Sequence, residues 1–182
     1  MKPGQGKNKG SAFERDVCRL LIQWITGSLR PEIFWRSASS GAQHTQMRKH
    51  GKESRMPGDI MANGSEGSWL TDAYVIECKY YKTFSWDAIF KNQGEILEWW
   101  KQVCRDAEES GKKPMLIFKK NNYPIYMAVD GNDDIIGSLW SPMFLVTGVA
   151  DVCRPAISFK TIRFEQFLDW ADPMTVEFNL GE

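Results

Sequence analysis

The chain has 182 residues, 42% hydrophobic and 25% charged, which suits one globular domain with a real core. No apolar run approaches the length that crosses a bilayer, and the first seven residues lack the apolar centre of a signal peptide. Charge is balanced overall, but residues 1–55 hold 11 Lys and Arg against 4 Asp and Glu, a net of +7, and the remainder is net −7. A soluble, cytoplasmic protein is expected, with no membrane contact. The charge asymmetry fits either an anionic partner at one end or a solvated basic surface.

Cys18, Cys78, Cys104 and Cys153 form no Cys-x-x-Cys pair, and His44 and His50 are the only histidines. That excludes a clustered structural zinc site and favours buried thiols over disulfides. Eight tryptophans predict heavy aromatic packing.

In chain order, residues 1–9 read as a flexible basic tail and residues 10–182 as a single domain. Phe13, Val17, Leu20, Leu21, Trp24 and Ile25 recur at helical spacing, predicting a helix over 11–25 with Ser11 as N-cap and Gly27 as stop. Residues 33–36 predict a strand. The polar, basic stretch over 37–56 shows no period and reads as a long loop. Asp59-Ile60-Met61-Ala62 begins a second strand, and Asn63-Gly64 predicts a turn that the Gly and Ser residues extend to Ser68. Residues 73–80 form the third strand.

A helix is expected over 85–110, with Gly94 able to kink or split it and Gly111 ending it before Pro114. Strands follow at 115–118 and 123–129. Residues 131–156 carry little signal beyond a candidate strand at 143–146. A short helix is expected over 162–170 and a loosely held acidic end after it. The order predicts a mixed α/β fold with a central sheet and helices on it.

The chemistry concentrates on Tyr74-Val75-Ile76-Glu77-Cys78-Lys79-Tyr80. Alternation puts Val75, Glu77 and Lys79 on one face of the strand and Ile76, Cys78 and Tyr80 on the other. A carboxylate and an ammonium on so apolar a strand need each other, a metal, or both. Pro57-Gly58-Asp59 lies upstream, with 17 residues between Asp59 and Glu77. Magnesium takes oxygen ligands, commonly one or two carboxylates. Asp59, Glu77 and the backbone carbonyl of Cys78 are such a set, and Lys79 would orient water or offset phosphate charge. Glu-x-Lys alone is common by chance and is more often a surface ion pair. The upstream Asp59 and the apolar flanks favour a site.

Asp59 followed by Glu77-Cys78-Lys79 resembles the signature of the PD-(D/E)xK nuclease superfamily. Gly10-Ser11-Ala12-Phe13-Glu14-Arg15, then Arg36, Ser39-Ser40-Gly41 and Gly58-Asp59-Ile60, resembles archaeal-type Holliday-junction resolvases and their phage relatives. Lys113-Pro114-Met115-Leu116-Ile117-Phe118-Lys119 resembles the strand closing their core. The likeness covers residues 10–120, and 121–182 form an extension matching nothing. It implies a restriction-endonuclease-like α-β-β-β-α-β core. It also implies Mg²⁺-dependent hydrolysis of DNA phosphodiesters, with Mn²⁺ as a substitute, and a homodimer acting on branched DNA in recombination or repair.

By that resemblance Asp59 and Glu77 bind metal, Lys79 is catalytic and Glu14 is auxiliary. Ser11-x-x-Glu14 also reads as a capping box with no catalysis. Gln93 and Gln102 compete for a polar position near the metal, Gln102 resembling the phage relatives more. Arg36, Ser39, Ser40, Arg48, Lys49, Lys52 and Arg55 are the expected DNA contacts. Trp86, Trp99 and Trp100 are expected in the core. The longer loop before Asp59 and the C-terminal extension depart from the resolvases. The alternatives are a restriction- or repair-type nuclease with another DNA preference, and a catalytically silent DNA-binding module of the same fold.

Overall fold

The computed structural model describes residues 5–28, 33–37, 57–91, 93–136, 144–147 and 158–181. Helix α1 spans Gln5–Thr26 and buries Phe13, Val17, Cys18, Leu21 and Ile22 along one face. It starts well before Ser11, which therefore sits inside the helix and caps nothing. Gly27, in the left-handed region at φ 65°, ends the helix as its sequence suggests.

Strand β1 (Phe34–Arg36) pairs antiparallel with β2 (Ile60–Ala62) in a small ribbon. The expected extended turn is instead short, and helix α2 occupies Ser65–Ala73. Its Gly67 packs on the Phe34 ring so closely that a Cβ would stand 2.7 Å from Cζ. Leu70 and Thr71 are buried beside it.

A five-stranded sheet forms the centre, in the order β3 (Tyr74–Tyr81), β4 (Lys113–Lys120), β5 (Tyr126–Asp130), β7 (Ser158–Arg163), β6 (Phe144–Thr147). β3 and β4 are parallel, and the other neighbours are antiparallel. Helix α3 (Glu95–Ser110) makes the crossover between β3 and β4. It is shorter than its expected range because Gly94, at φ 99°, breaks the helical path. Only a 3₁₀ turn at Ile89–Lys91 precedes it. At the far end β7 runs straight into α4 (Phe164–Trp170), so the helix expected from residue 162 starts two residues later. Helix α5 (Pro173–Gly181) follows and buries Val176, correcting the expectation of a loose end.

Alternation along the strands sorts two core layers. Ile76, Ile117, Met127 and Ile162 face α1 and pack with Val17, Leu21 and Phe167. Val75, Leu116, Phe118, Ala128 and Phe159 face α3 and pack with Trp99, Trp100 and Val103. Residues beyond 120 thus supply three strands of the main sheet and belong to both layers. Trp86 and Trp99 contact Phe84 and Phe118, and Trp100 contacts Phe159, so these indoles pack as expected. Cys18 and Cys78 are buried free thiols and Cys104 is a partly buried one, while Cys153 lies outside the described residues. Among the described residues no helix is long and apolar enough to cross a membrane.

Candidate active site

The site lies at the edge of β3 that β4 leaves open. Along a strand, the N–H and C=O of one residue point to the same side, and successive residues alternate. At this open edge the Ile76 carbonyl accepts the Asp59 N–H at 2.7 Å, and the Cys78 N–H donates to Asp59 Oδ2 at 2.8 Å. Asp59 therefore grips β3 twice, through its backbone and its carboxylate. The same alternation turns the Cys78 carbonyl to this edge, while its thiol is buried on the α1 side.

Gly58 makes that grip possible. Its φ is 85°, a region open to glycine, and a Cβ there would stand 2.8 Å from the Ile76 carbonyl oxygen. Ser37 locks the loop from the other side. Its Oγ donates to the Gly58 carbonyl at 2.7 Å and its N–H to the Asp59 carbonyl at 2.8 Å. Ser37 is buried and was absent from the expected site residues. The available signal was a small polar residue directly after a strand, beside the two serines that the resemblance did single out.

Glu77 is buried on the α3 side of β3. Its Oε1 accepts both Lys79 Nζ at 2.5 Å and Gln102 Nε2 at 3.2 Å. Gln93 precedes α3, is exposed, and reaches the site through no hydrogen bond among the described residues. Of the two glutamines, Gln102 is the one with a hydrogen bond to Glu77 among the described residues. Each carboxylate spends one oxygen on the protein, Asp59 Oδ2 and Glu77 Oε1. Their second oxygens carry no hydrogen bond among the described residues.

The electrostatics record a shortage of positive charge. Burial, then the neighbouring Glu77, push the Asp59 carboxyl up to about 7, against the pull of the Cys78 N–H. Burial alone would lower the Lys79 ammonium, but Glu77 and Asp59 outweigh it and hold Lys79 above its ordinary value. Lys79 is thus a firm cation beside a carboxylate that resists ionising.

Glu14, buried on α1, accepts Arg36 Nε from β1 at 2.6 Å. This ion pair replaces the capping box, which the position of Ser11 rules out. Glu14 lies near enough to raise the Asp59 carboxyl, as a smaller contribution than that of Glu77. Arg36, expected at DNA, has this Glu14 bond as its described contact. Ser39, Ser40, Arg48, Lys49, Lys52 and Arg55, with His44 and His50, lie outside the described residues.

Among the described residues no three His, Cys, Asp or Glu side chains cluster closely enough to hold a metal by themselves. The oxygen donors along this strand are two carboxylates, near enough that Glu77 raises Asp59, and the Cys78 backbone carbonyl on the edge that Asp59 grips. That hard-oxygen set fits a Mg²⁺-type ion that keeps part of its water shell.

A family model described as "Phage putative PDDEXK endonuclease" matches residues 5–171, well past residue 120, where the motifs end. Protein D14 of Escherichia phage T5 is 31% identical over 149 residues, covering 80% of this chain and 84% of that protein. A solved structure of Archaeoglobus fulgidus Hjc, a Holliday junction resolvase, aligns over 92% of this chain and 99% of its own, with 18% identity and a TM-score of 0.33. By the extent of the first match, this chain belongs to the phage PDDEXK endonuclease family, within the PD-(D/E)xK nucleases.

Proposed function

We propose that the protein is a divalent-metal-dependent endodeoxyribonuclease, structure-selective in the manner of a junction resolvase. One observation carries the reading. Asp59, bonded to β3, and Glu77, carried on β3, each keep one carboxylate oxygen without a hydrogen bond among the described residues, near enough that Glu77 raises Asp59, with Lys79 on the same strand.

In this reading Asp59, Glu77 and the Cys78 carbonyl would hold Mg²⁺, or Mn²⁺ in its place. The bound ion would supply Lewis-acid polarisation of the phosphate and a more acidic water. The chain's own residues then have separate tasks. Lys79 stays protonated, offsets charge gathering on the phosphate and orients the attacking water. Gln102 steadies the Glu77 carboxylate through its bond to Oε1. Glu14 and Arg36 brace the end of β1, next to Ser37, which bonds Gly58 and Asp59. The basic residues Arg48, Lys49, Lys52 and Arg55, with Ser39 and Ser40, serve as phosphate contacts that position DNA without reading sequence. A branched substrate with two related strands suits a symmetric homodimer, the commonest assembly. The expected setting is the cytoplasm of a phage-infected or prokaryotic cell, in DNA recombination or repair.

The test is cleavage of four-way junction, flap, single-stranded and duplex DNA in Mg²⁺, Mn²⁺ or EDTA. Metal-dependent cuts that vanish in Glu77→Ala and Lys79→Ala are expected, with paired symmetric nicks on junctions. Tight binding with no cut in any metal would leave a silent DNA-binding module instead. Cuts indifferent to branching would assign a repair- or restriction-type enzyme.

A further inference from the structure

The catalytic face of β3 does not end at Lys79. Alternation puts Glu77, Lys79 and Tyr81 on one face, and Tyr81, the last residue of the strand, is 46% exposed. Its ring leans on the buried Trp99 indole with centroids 4.6 Å apart. Trp99 and Gln102 lie one turn apart on α3, so the helix that reaches Glu77 also props Tyr81.

The neighbouring strand continues the surface. Tyr81 stands opposite Lys120 in the parallel β3–β4 pair, which puts both on the same sheet face. Lys120 is tied by Nζ to the Phe84 carbonyl at 3.3 Å. Its ammonium sits 4.0 Å from the centre of the Tyr123 ring, and Tyr123 is 47% exposed in the turn after β4. A strip therefore runs from the paired carboxylates through ammonium, ring, ammonium and ring.

Alternating cations and open rings suit a nucleic-acid strand, in which phosphates need counter-charge and bases offer flat faces. A protein interface would bury such rings against apolar partners, yet this strip holds charge between them. Inside a continuous duplex every base has both faces covered by its neighbours. A base freed from its neighbours, as at a branch or in a single strand, offers an open face to a ring. We infer that Tyr81, with Lys120 and Tyr123 beyond it, forms a stacking subsite for an unpaired DNA base next to the bond held at Asp59 and Glu77. This rests on the nuclease reading and deepens it, for it gives a physical ground for preferring branch points, flaps or single-stranded ends over intact duplex.

The probe is a flap DNA with 2-aminopurine as its first unpaired base, held in EDTA so that no strand is cut. A matched fully paired duplex is the control. Stacking on a ring quenches 2-aminopurine, so binding of the flap should dim it. Tyr81→Ala should abolish the dimming and weaken flap binding about 5- to 150-fold, the equivalent of losing one stacked base. Duplex binding should change little, and Tyr81→Phe should keep both signals. Tyr123→Ala, in an exposed turn, should weaken flap binding without touching the packing at Trp99. Unchanged dimming and affinity in Tyr81→Ala would overturn the subsite, as would equal losses in Tyr81→Phe and Tyr81→Ala. Near-ultraviolet circular dichroism confirms that each variant is folded. Because no metal is present, dimming that depends on Tyr81 in a protein that cuts no DNA would sink the nuclease reading and keep the subsite.

Discussion

The Asp59 carboxylate accepts the Cys78 N–H at 2.8 Å while the Asp59 N–H donates to Ile76 at 2.7 Å, so one aspartate spans two rungs of an otherwise open strand edge. The residue that would bind metal also closes the sheet. Its charge state should therefore govern both metal binding and stability.

Burial and Glu77 raise the folded Asp59 carboxyl from 3.8 to about 7. A group raised on folding contributes stability that is fully present below its unfolded value and is lost as pH rises through its folded value. The metal-free protein should thus lose melting temperature between about pH 4 and pH 7 through this residue. Asp59→Asn should flatten that part of the profile and, at pH 8 in EDTA, melt no lower than the parent. Metal affinity should climb with pH up to about 7 and level off above it, because proton and metal compete for one carboxylate. Thermal melts with and without Mg²⁺ across pH 5 to 9 check both; a melting profile that is the same in Asp59→Asn would count against the assignment.

Gly58→Ala should separate backbone from chemistry. The substitution places a Cβ 2.8 Å from the Ile76 carbonyl oxygen at a φ of 85°. The strain should cost about 1–3 kcal/mol, readable by urea unfolding. Nuclease activity per folded molecule should fall as well, since the Asp59 carboxylate shifts with its own backbone. Full activity in a destabilised protein would mean that Asp59 need not be held against β3.

The strand that carries Glu77 and Lys79 was legible in the sequence because its signals are local: period-two alternation, an apolar run, and two charges in the wrong place for a core. The family motif extended that reading to Asp59, although only folding shows how Gly58 and Ser37 hold it. Helix α2 was not legible, because nine residues that include Ser65, Gly67, Ser68, Thr71 and Asp72 have little intrinsic preference for a helix. It is set by packing against β1 through Gly67 and Phe34. Beyond 120 the strands expected at 123–129 and 143–146 correspond to β5 and β6, but β7 was not expected and the pairing of these strands was not legible. The strands are short, and β5 and β7 find their place by pairing residues 29 to 37 positions apart, which no local pattern announces. Gln93 was a candidate because the helix was expected to run from residue 85 through Gly94, whose positive φ stops it.

Glu14 offers a test of a residue with two readings. Glu14→Gln keeps the shape and weakens the bond to Arg36, a contact between charged groups worth about 1.5–3 kcal/mol when buried; the half-exposed guanidinium places the loss at the lower end. If Glu14 only braces β1, kcat corrected for the folded fraction should be unchanged. A tenfold or larger fall in kcat at full folding would give it a role at the metal.

Gln102→Ala probes the support of Glu77 itself. Gln102 and Lys79 both donate to Glu77 Oε1, at 3.2 and 2.5 Å, and the other oxygen has no hydrogen bond among the described residues. Removing the weaker donor should leave the ion pair in place, so stability should change by less than about 1 kcal/mol. The carboxylate would gain freedom to rotate, and loss of such an orienting partner typically lowers metal affinity or activity about 10- to 100-fold. Gln102→Glu should do more harm than Gln102→Ala, because it sets a third carboxylate beside two already crowded ones. It would also compete with Glu77 for Lys79. Calorimetric Mg²⁺ titration of both variants at pH 8, with cleavage rates at saturating metal, separates weakened binding from misplaced chemistry. Equal metal affinity and equal rates in Gln102→Ala and the parent would reduce Gln102 to a surface glutamine that happens to touch the site.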